Sequence, residues 1–440
     1  MNLYQQYASV NKRLARGESL YWHPDASALN VEETAGPDRR LLRYPKIGVY
    51  AGSGTSHSWL WFADLFERMG FLDVVFLQEK AVKTNGLAGL DILAVSGGDT
   101  FAVAEALGAQ GARQIKAFVE QGGTYIGSCA GAYLPMNSSK PHLNMFNFAD
   151  VKITNLSKTL PQALRMAHKC STAYGCDFVF HPIREAVSIK KNDVAPFYGN
   201  GTLTAPMYGG PSMVPSANAQ VLASYDAFTK KTLFLIDKKI ACDTLVGKAA
   251  AVRVARGEGF FYLFGPHFEH PHYPDANKLV ADAIFWQKEP GNVQSYQTDM
   301  DSSTCRDDEI LKGTQAKKFI QDIKRELSNS RIVATGMDFL PIQWLIGQKI
   351  YEPEKIRVFL ESMWKRLKLL SACDQIIVAP GITAMIRQYA SEIVIMLRRL
   401  KTEIDKKQDT LSLAQAVFER LHTLTILFFN IYFKTIAADG

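Results

Sequence analysis

Gly123-Thr124-Tyr125-Ile126-Gly127-Ser128-Cys129-Ala130-Gly131 is the stretch that decides how this chain is read. Residues 124–126 form a short apolar run suited to a buried strand, and the small residues behind it predict a tight turn into a helix. The glycines two residues either side of the cysteine let the backbone bend without Cβ clashes. Such a turn lifts one side chain above the sheet. A helix starting near Ala130 would point its first amides at the sulfur and favour thiolate over thiol. Cys129 is therefore the candidate nucleophile, with a small inert cysteine in a buried turn as the competing reading.

A second apolar run, Gly259-Phe260-Phe261-Tyr262-Leu263-Phe264, ends in Gly265-Pro266-His267-Phe268-Glu269. A histidine just past a strand end, with a carboxylate two residues on, can serve as a base held by an orienting partner. His267 would take the proton from Cys129, and Glu269 would fix the imidazole tautomer and stabilise the imidazolium. A third strand, 91–95, leads into Ser96-Gly97-Gly98-Asp99-Thr100 and a helix over 101–107. The Gly-Gly step leaves amides uncovered, so the Gly98 and Ala130 N–H groups could together hold a developing oxyanion. A plain turn capped by Asp99 or Thr100 is the alternative. Phosphate binding fits less well, because the loop lacks the glycine spacing and the Lys-Ser/Thr of a P-loop.

These residues carry a family resemblance. Gly127-Ser128-Cys129-Ala130-Gly131 with His267-Phe268-Glu269 resembles the class I glutamine amidotransferase superfamily. Within it, residues 127–133, the loop Ala205-Pro206-Met207-Tyr208-Gly209-Gly210-Pro211 and the strand end Gly265-Pro266-His267 are similar to the amidotransferase-like N-terminal domain of eukaryotic biotin–protein ligases. Gly97-Gly98-Asp99-Thr100-Phe101 and residues 128–132 also resemble peptidase E and cyanophycinase, where a serine stands at the nucleophile position. The resemblance spans about residues 45–290. It implies a flavodoxin-like sheet, a Cys129–His267–Glu269 triad, and a substrate site near Gly97, Tyr133, Tyr208, Gly209 and Gly210. Glutaminase members usually carry glutamine where this chain has Tyr133, whose ring could line a pocket or pack on the elbow. The 440 residues contain no ATP-pyrophosphatase module and no Gly-Arg-Gly-Arg-type biotin-ligase loop. The acyl donor is thus left open among a glutamine side chain, a γ-glutamyl or isopeptide bond, and a peptide amide.

Length and pattern suggest two domains. An N-terminal extension over 1–44 precedes an α/β domain over 45–292, a linker over 293–312 rich in Asp, Ser, Gln and Thr, and a helical domain over 313–440. Strand–helix alternation at 46–50, 57–69, 72–77, 91–95 and 114–126 argues a parallel sheet with helices on both faces. Ligands then bind beyond the carboxyl ends of the strands. Closer strands at 220–224, 232–236 and 249–255 suggest an antiparallel extension. Helical periodicity over 316–327, 353–370, 382–401 and 411–433 predicts a bundle. It could bind a protein partner or deliver a hydrolase to a protein substrate.

A net charge of +7, spread over both halves, gives no clustered footprint for nucleic acid or an anionic membrane. Six cysteines without a Cys-x-x-Cys pair point to a reducing cytoplasm. No run of 18 uncharged apolar residues is present, and the greasy stripe 424–433 reads as core packing. His267, His270 and His272 lie close in sequence, but the first has a better role than zinc ligand, so neither metal nor cofactor is expected. His57, after the first strand, either lines the mouth of the site or caps the next helix.

Overall fold

The apolar runs at 47–50, 92–95, 124–128 and 259–264 are buried almost throughout, as a parallel sheet covered on both faces requires. In the computed structural model, which describes residues 1–23, 29–37, 39–171, 179–197, 199–286, 308–347 and 349–439, they are the strands β1 (Ile47–Tyr50), β2 (Ile92–Val95), β3 (Thr124–Ser128) and β8 (Gly259–Phe264). Between β3 and β8 lie β4 (Ile183–Lys191), β5 (Thr202–Met207), β6 (Ala219–Phe228) and β7 (Ala249–Arg256). Eight strands of the larger sheet run in the order β5-β4-β6-β7-β8-β3-β2-β1. The strands β8, β3, β2 and β1 are mutually parallel, and β7, β6, β4 and β5 extend the sheet in antiparallel fashion.

The chain divides into two compact units, Met1–Phe71 with Leu77–Glu289, and Leu72–Phe76 with Pro290–Gly440. In the first unit the described residues of the 1–44 segment are folded. Helix α1 (Leu3–Ala15) starts in a capping box between Asn2 and Gln5. Tyr7 is fully buried and donates to Asp282 at 2.6 Å, while Asn11 donates to the Met69 carbonyl at 2.8 Å. Helix α2 (Trp59–Met69) ends at Gly70, whose φ of 76° gives the left-handed cap. Helix α3 (Thr100–Glu120) is broken at Gly108. This accounts for the two separate helical patterns over 101–107 and 114–120.

The glycines two residues either side of Cys129 avoid Cβ clashes as expected, since a Cβ on Gly127 would lie 2.3 Å from the Gly131 carbonyl and one on Gly131 would lie 2.0 Å from the Val95 carbonyl. The unusual conformation belongs to Cys129 itself, at φ 53° and ψ −108°. The helix after the elbow, α4 (Ala130–Tyr133), is a single turn. Pro135 has no N–H to extend it, so little helix dipole reaches the sulfur.

Helix α5 (Pro274–Phe285) follows β8 in the first unit, and the second unit is helical: α6 (Gly313–Thr335), α7 (Pro353–Leu370), α8 (Ile382–Asp405) and α9 (Leu411–Asp439). Helix α6 outruns the expected end at 327 because Ser330 and Ala334 stay on its buried face, and Arg331 binds both carboxylate oxygens of Glu361. Short strands not anticipated from sequence join it. One is β9 (Glu309–Lys312), placed in the expected linker, which pairs antiparallel with β12 (Gln375–Val378). The others are β10 (Trp344–Ile346) and β11 (Lys349–Tyr351), joined through Gly347 at φ 61°. Residues 293–307 of the linker lie outside the described residues. Helix α9 is long and apolar enough to cross a membrane by length and composition, a point missed by counting only uncharged runs. Its Phe428, Phe429, Tyr432 and Phe433 are buried, with Arg366 of α7 over the Phe429 ring at 4.4 Å. The stripe is core. The flavodoxin-like reading of the first unit and the helical reading of the second both hold.

Gly131→Ala should cost about 2–3 kcal/mol through backbone displacement at Val95, with a parallel loss of thiol reactivity. Urea unfolding of the full chain measures it. A near-neutral result contradicts the close packing described here.

Candidate active site

Register puts the expected site residues side by side. Val95 of β2 pairs with Gly127 of β3, and Ser128 of β3 pairs with Phe264 of β8. Gly97–Gly98, Cys129 and His267 follow the carboxyl ends of three adjacent parallel strands. The elbow is tied to both neighbours, because Cys129 N–H donates to the Phe264 carbonyl at 2.9 Å and Gly131 N–H to the Ser96 carbonyl at 3.1 Å. A non-glycine residue at positive φ outside the usual left-handed well costs on the order of 1–3 kcal/mol and persists only where its surroundings impose it. Here they do.

His267 and Glu269 are almost wholly buried, and Cys129 is 5% exposed. His267 Nδ1 and Glu269 Oε1 are 2.7 Å apart. Ser128 Oγ donates to the other carboxylate oxygen, Oε2, at 2.6 Å. The Cys129 side chain lies close enough to the imidazole to favour its protonated form. Burial opposes charge on the ring, but the Glu269 carboxylate and the Cys129 sulfur outweigh it and push His267 up to about 10. The ring therefore carries a proton across the neutral range. Its backbone is fixed as well, since His267 N–H donates to the Pro206 carbonyl at 2.9 Å and Asn277 of α5 donates to the Phe268 and His270 carbonyls.

The Gly97–Gly98 loop is held from outside. The Gly97 carbonyl accepts from Ser56 N–H at 3.0 Å, from Ser56 Oγ at 3.1 Å and from Ser58 Oγ at 3.1 Å. A trans peptide then turns the Gly98 N–H the opposite way. Among the described residues the Gly98 and Ala130 amides have no backbone acceptor. Asp99 caps α3 through Phe101 and Ala102, so the turn-and-cap reading also holds for this loop. Gly97 lies against the imidazole: a Cβ there would sit 2.7 Å from His267 Cε1.

The remaining expected residues divide into tethers and surface. Tyr133 packs on the elbow, with its hydroxyl donating to the Gly209 carbonyl at 3.2 Å and accepting from Asn155 Nδ2 at 3.1 Å. Gly209 has φ 103° and lies against His181. Gly210 is in contact with backbone, since a Cβ there would fall 1.7 Å from the Gly265 carbonyl. Tyr208 instead stands beside His267, with ring centroids 5.7 Å apart. His57 packs edge-on against Trp61 at 5.4 Å, while Ser58 takes the N-cap position of α2.

Sequence alone does not assign Ser128, Asn155, Trp61 or His270 to the site. Ser128 belongs to the elbow motif, where nothing local marks its bond to Glu269. Trp61 left a signal, because it falls off the helical spacing of Trp59, Phe62, Leu65, Phe66 and Met69 and so lies on another face of α2. Its ring lies 5.0 Å from His267, edge to face, and 4.5 Å from His270. Asn155 left no readable signal, since nothing local marks an asparagine that bridges Tyr133, Phe180, Gly210 and Ser212.

Residues 46–147 match the family described as "Biotin-protein ligase, N terminal". The matched segment is similar to that domain. It carries β1 to β3, the Gly97–Gly98 loop and the Cys129 elbow. No curated protein matches the chain in sequence. Solved structures similar to it include a Thermoplasma acidophilum protein assigned to GMP synthase, with 13% identity and TM-score 0.33, covering 54% of this chain and 92% of that one. Another is a glutamine amidotransferase from Thermotoga maritima, at 9% identity and TM-score 0.32, covering 54% and 82%. A beta-galactosidase from Bacillus circulans sp. alkalophilus also matches, at 13% identity and TM-score 0.32, covering 56% of this chain and 31% of that one.

Glu269→Gln should lower the His267 titration from about 10, because burial is then opposed by the Cys129 sulfur alone. Imidazole NMR reads both values. The folded ring keeps its proton to about pH 10 and the unfolded ring loses it near 6.5. Its contribution to stability is therefore fully present below pH 6.5 and is lost as pH rises toward 10. An unshifted ring in the wild-type protein contradicts the pairing.

Proposed function

We propose that the amidotransferase-like unit is a cysteine-dependent amide hydrolase or acyltransferase. The chain Ser128–Glu269–His267–Cys129, assembled at adjacent strand ends, is the observation that carries this reading. Cys129 Sγ attacks the carboxamide carbon, and the Gly98 and Ala130 N–H groups stabilise the oxyanion. Collapse breaks the C–N bond, the departing amine takes a proton from His267, and a thioester remains. Water or an amine, deprotonated by His267, attacks the thioester and restores the thiol or its ion pair. Glu269 holds the ring and offsets its charge throughout. The departing group and the acceptor are open to any amide that reaches the sulfur.

The 5% exposure of Cys129 favours a rival reading, an amidotransferase-like module without turnover whose helical unit binds a protein partner. A glutamine-like diazo-ketone separates the two. Stoichiometric labelling at Cys129, abolished in Cys129→Ala and reduced about 10²–10⁴-fold in His267→Ala, is the outcome expected of the enzyme. A folded protein whose Cys129 resists the reagent is the outcome expected of the module.

A further inference from the structure

Beside the buried dyad stands a group of half-exposed rings that the chemistry above does not use. Trp61 is the hub, 5.0 Å from His267, 4.5 Å from His270, 5.4 Å from His57 and 6.0 Å from Tyr208. Tyr208 closes the circle at 5.7 Å from His267 and 6.4 Å from His270. Three separate segments supply these rings: α2 with the turn leading into it, the loop after β5, and the turn after β8. All four outer rings keep part of their surface in solvent, whereas His267 and Cys129 are buried. The rings thus stand on the partly solvent-exposed side of the imidazole that pairs with the sulfur.

Their charge state narrows what they can hold. Trp61 and Tyr208 are neutral at physiological pH, and burial pushes the Tyr208 hydroxyl further up, with Glu185 adding to it. Burial, helped by the charge on His267, presses His270 down to about 3, so it too is neutral. Glu185, a carboxylate that touches this group, accepts a hydrogen bond from the Tyr208 hydroxyl at 3.3 Å, and the Arg184 charge also acts on that hydroxyl. Flat, uncharged π faces suit a flat, uncharged guest.

We propose that the acyl group carried to Cys129 is a planar, uncharged aryl or heteroaryl carbonyl, stacked against Trp61 and Tyr208. This rests on the reading of Cys129 as a nucleophile and names the substrate class for it. The substrate is then an aryl or heteroaryl carboxamide. Sulfur takes the aroyl carbon, the C–N bond breaks, and the amine leaves with the His267 proton.

Paired alkylation of the full chain tests it. Rates at Cys129 with phenacyl bromide, which presents an aryl ketone, and with iodoacetamide are each divided by the rate of N-acetylcysteine. The wild-type protein should favour the phenacyl reagent about five- to tenfold on this scale, the size expected of one aromatic contact. Benzamide should protect Cys129 and L-glutamine should not. Trp61→Leu should bring the ratio to about one, and Trp61→Phe should restore most of it. Alkylation by iodoacetamide with no phenacyl preference, or a preference untouched in Trp61→Leu, overturns the aryl assignment and leaves the nucleophile standing. A Cys129 inert to both reagents overturns the nucleophile and the aryl assignment together.

Discussion

Phe264 faces Ser128 across a parallel ladder, and Gly127 faces Val95 on the other side. That double register is the constraint on which the site depends. It brings three loop starts, otherwise far apart in sequence, to one edge of the sheet. A shift of a single residue in β3 would turn Ser128 and Cys129 to opposite faces and part the serine from Glu269. The fixed ladder also explains why Cys129 can hold φ 53°, since Phe264 and Ser96 grip the amides on either side of its turn.

Electrostatics then builds on that placement. Glu269 is fully buried, and a buried carboxylate needs its oxygens engaged. Ser128 takes one and His267 the other, so a strand residue and a loop residue share a single anion. The carboxylate holds a proton on the imidazole, while burial, helped by the imidazolium, keeps the neighbouring His270 neutral. One buried charge therefore sets the state of the dyad. The short helix α4 contributes little by comparison.

Much of this was legible in the sequence, for reasons of period and punctuation. Buried strands leave apolar runs, and turns leave glycine and proline, so β2, β3, β8 and the loops after them could be placed from residues alone. A cysteine and a histidine at two such ends were visible as a pair. The contribution of Gly131 was not, because only the fold brings the Val95 carbonyl against it. Ser128 and Asn155 were hidden for the same reason: their partners lie 141 and 57 residues away, at Glu269 and Ser212. The aromatic group around Trp61 also needed three distant segments to meet. In the second unit the pattern gave the helices but not the strand pairs β9–β12 and β10–β11, whose three- and four-residue lengths are too short to show a period of two.

The central claim is that sulfur and imidazole share one proton, held on the ring at neutral pH. Ultraviolet absorbance of the thiolate, measured against Cys129→Ser while pH is lowered, tests this most directly. With the pair in place the Cys129 band should persist to distinctly lower pH in the wild-type protein than in His267→Ala. A wild-type band that fades at the same pH as in His267→Ala would mean that the ring does not support the sulfur, and would contradict the account.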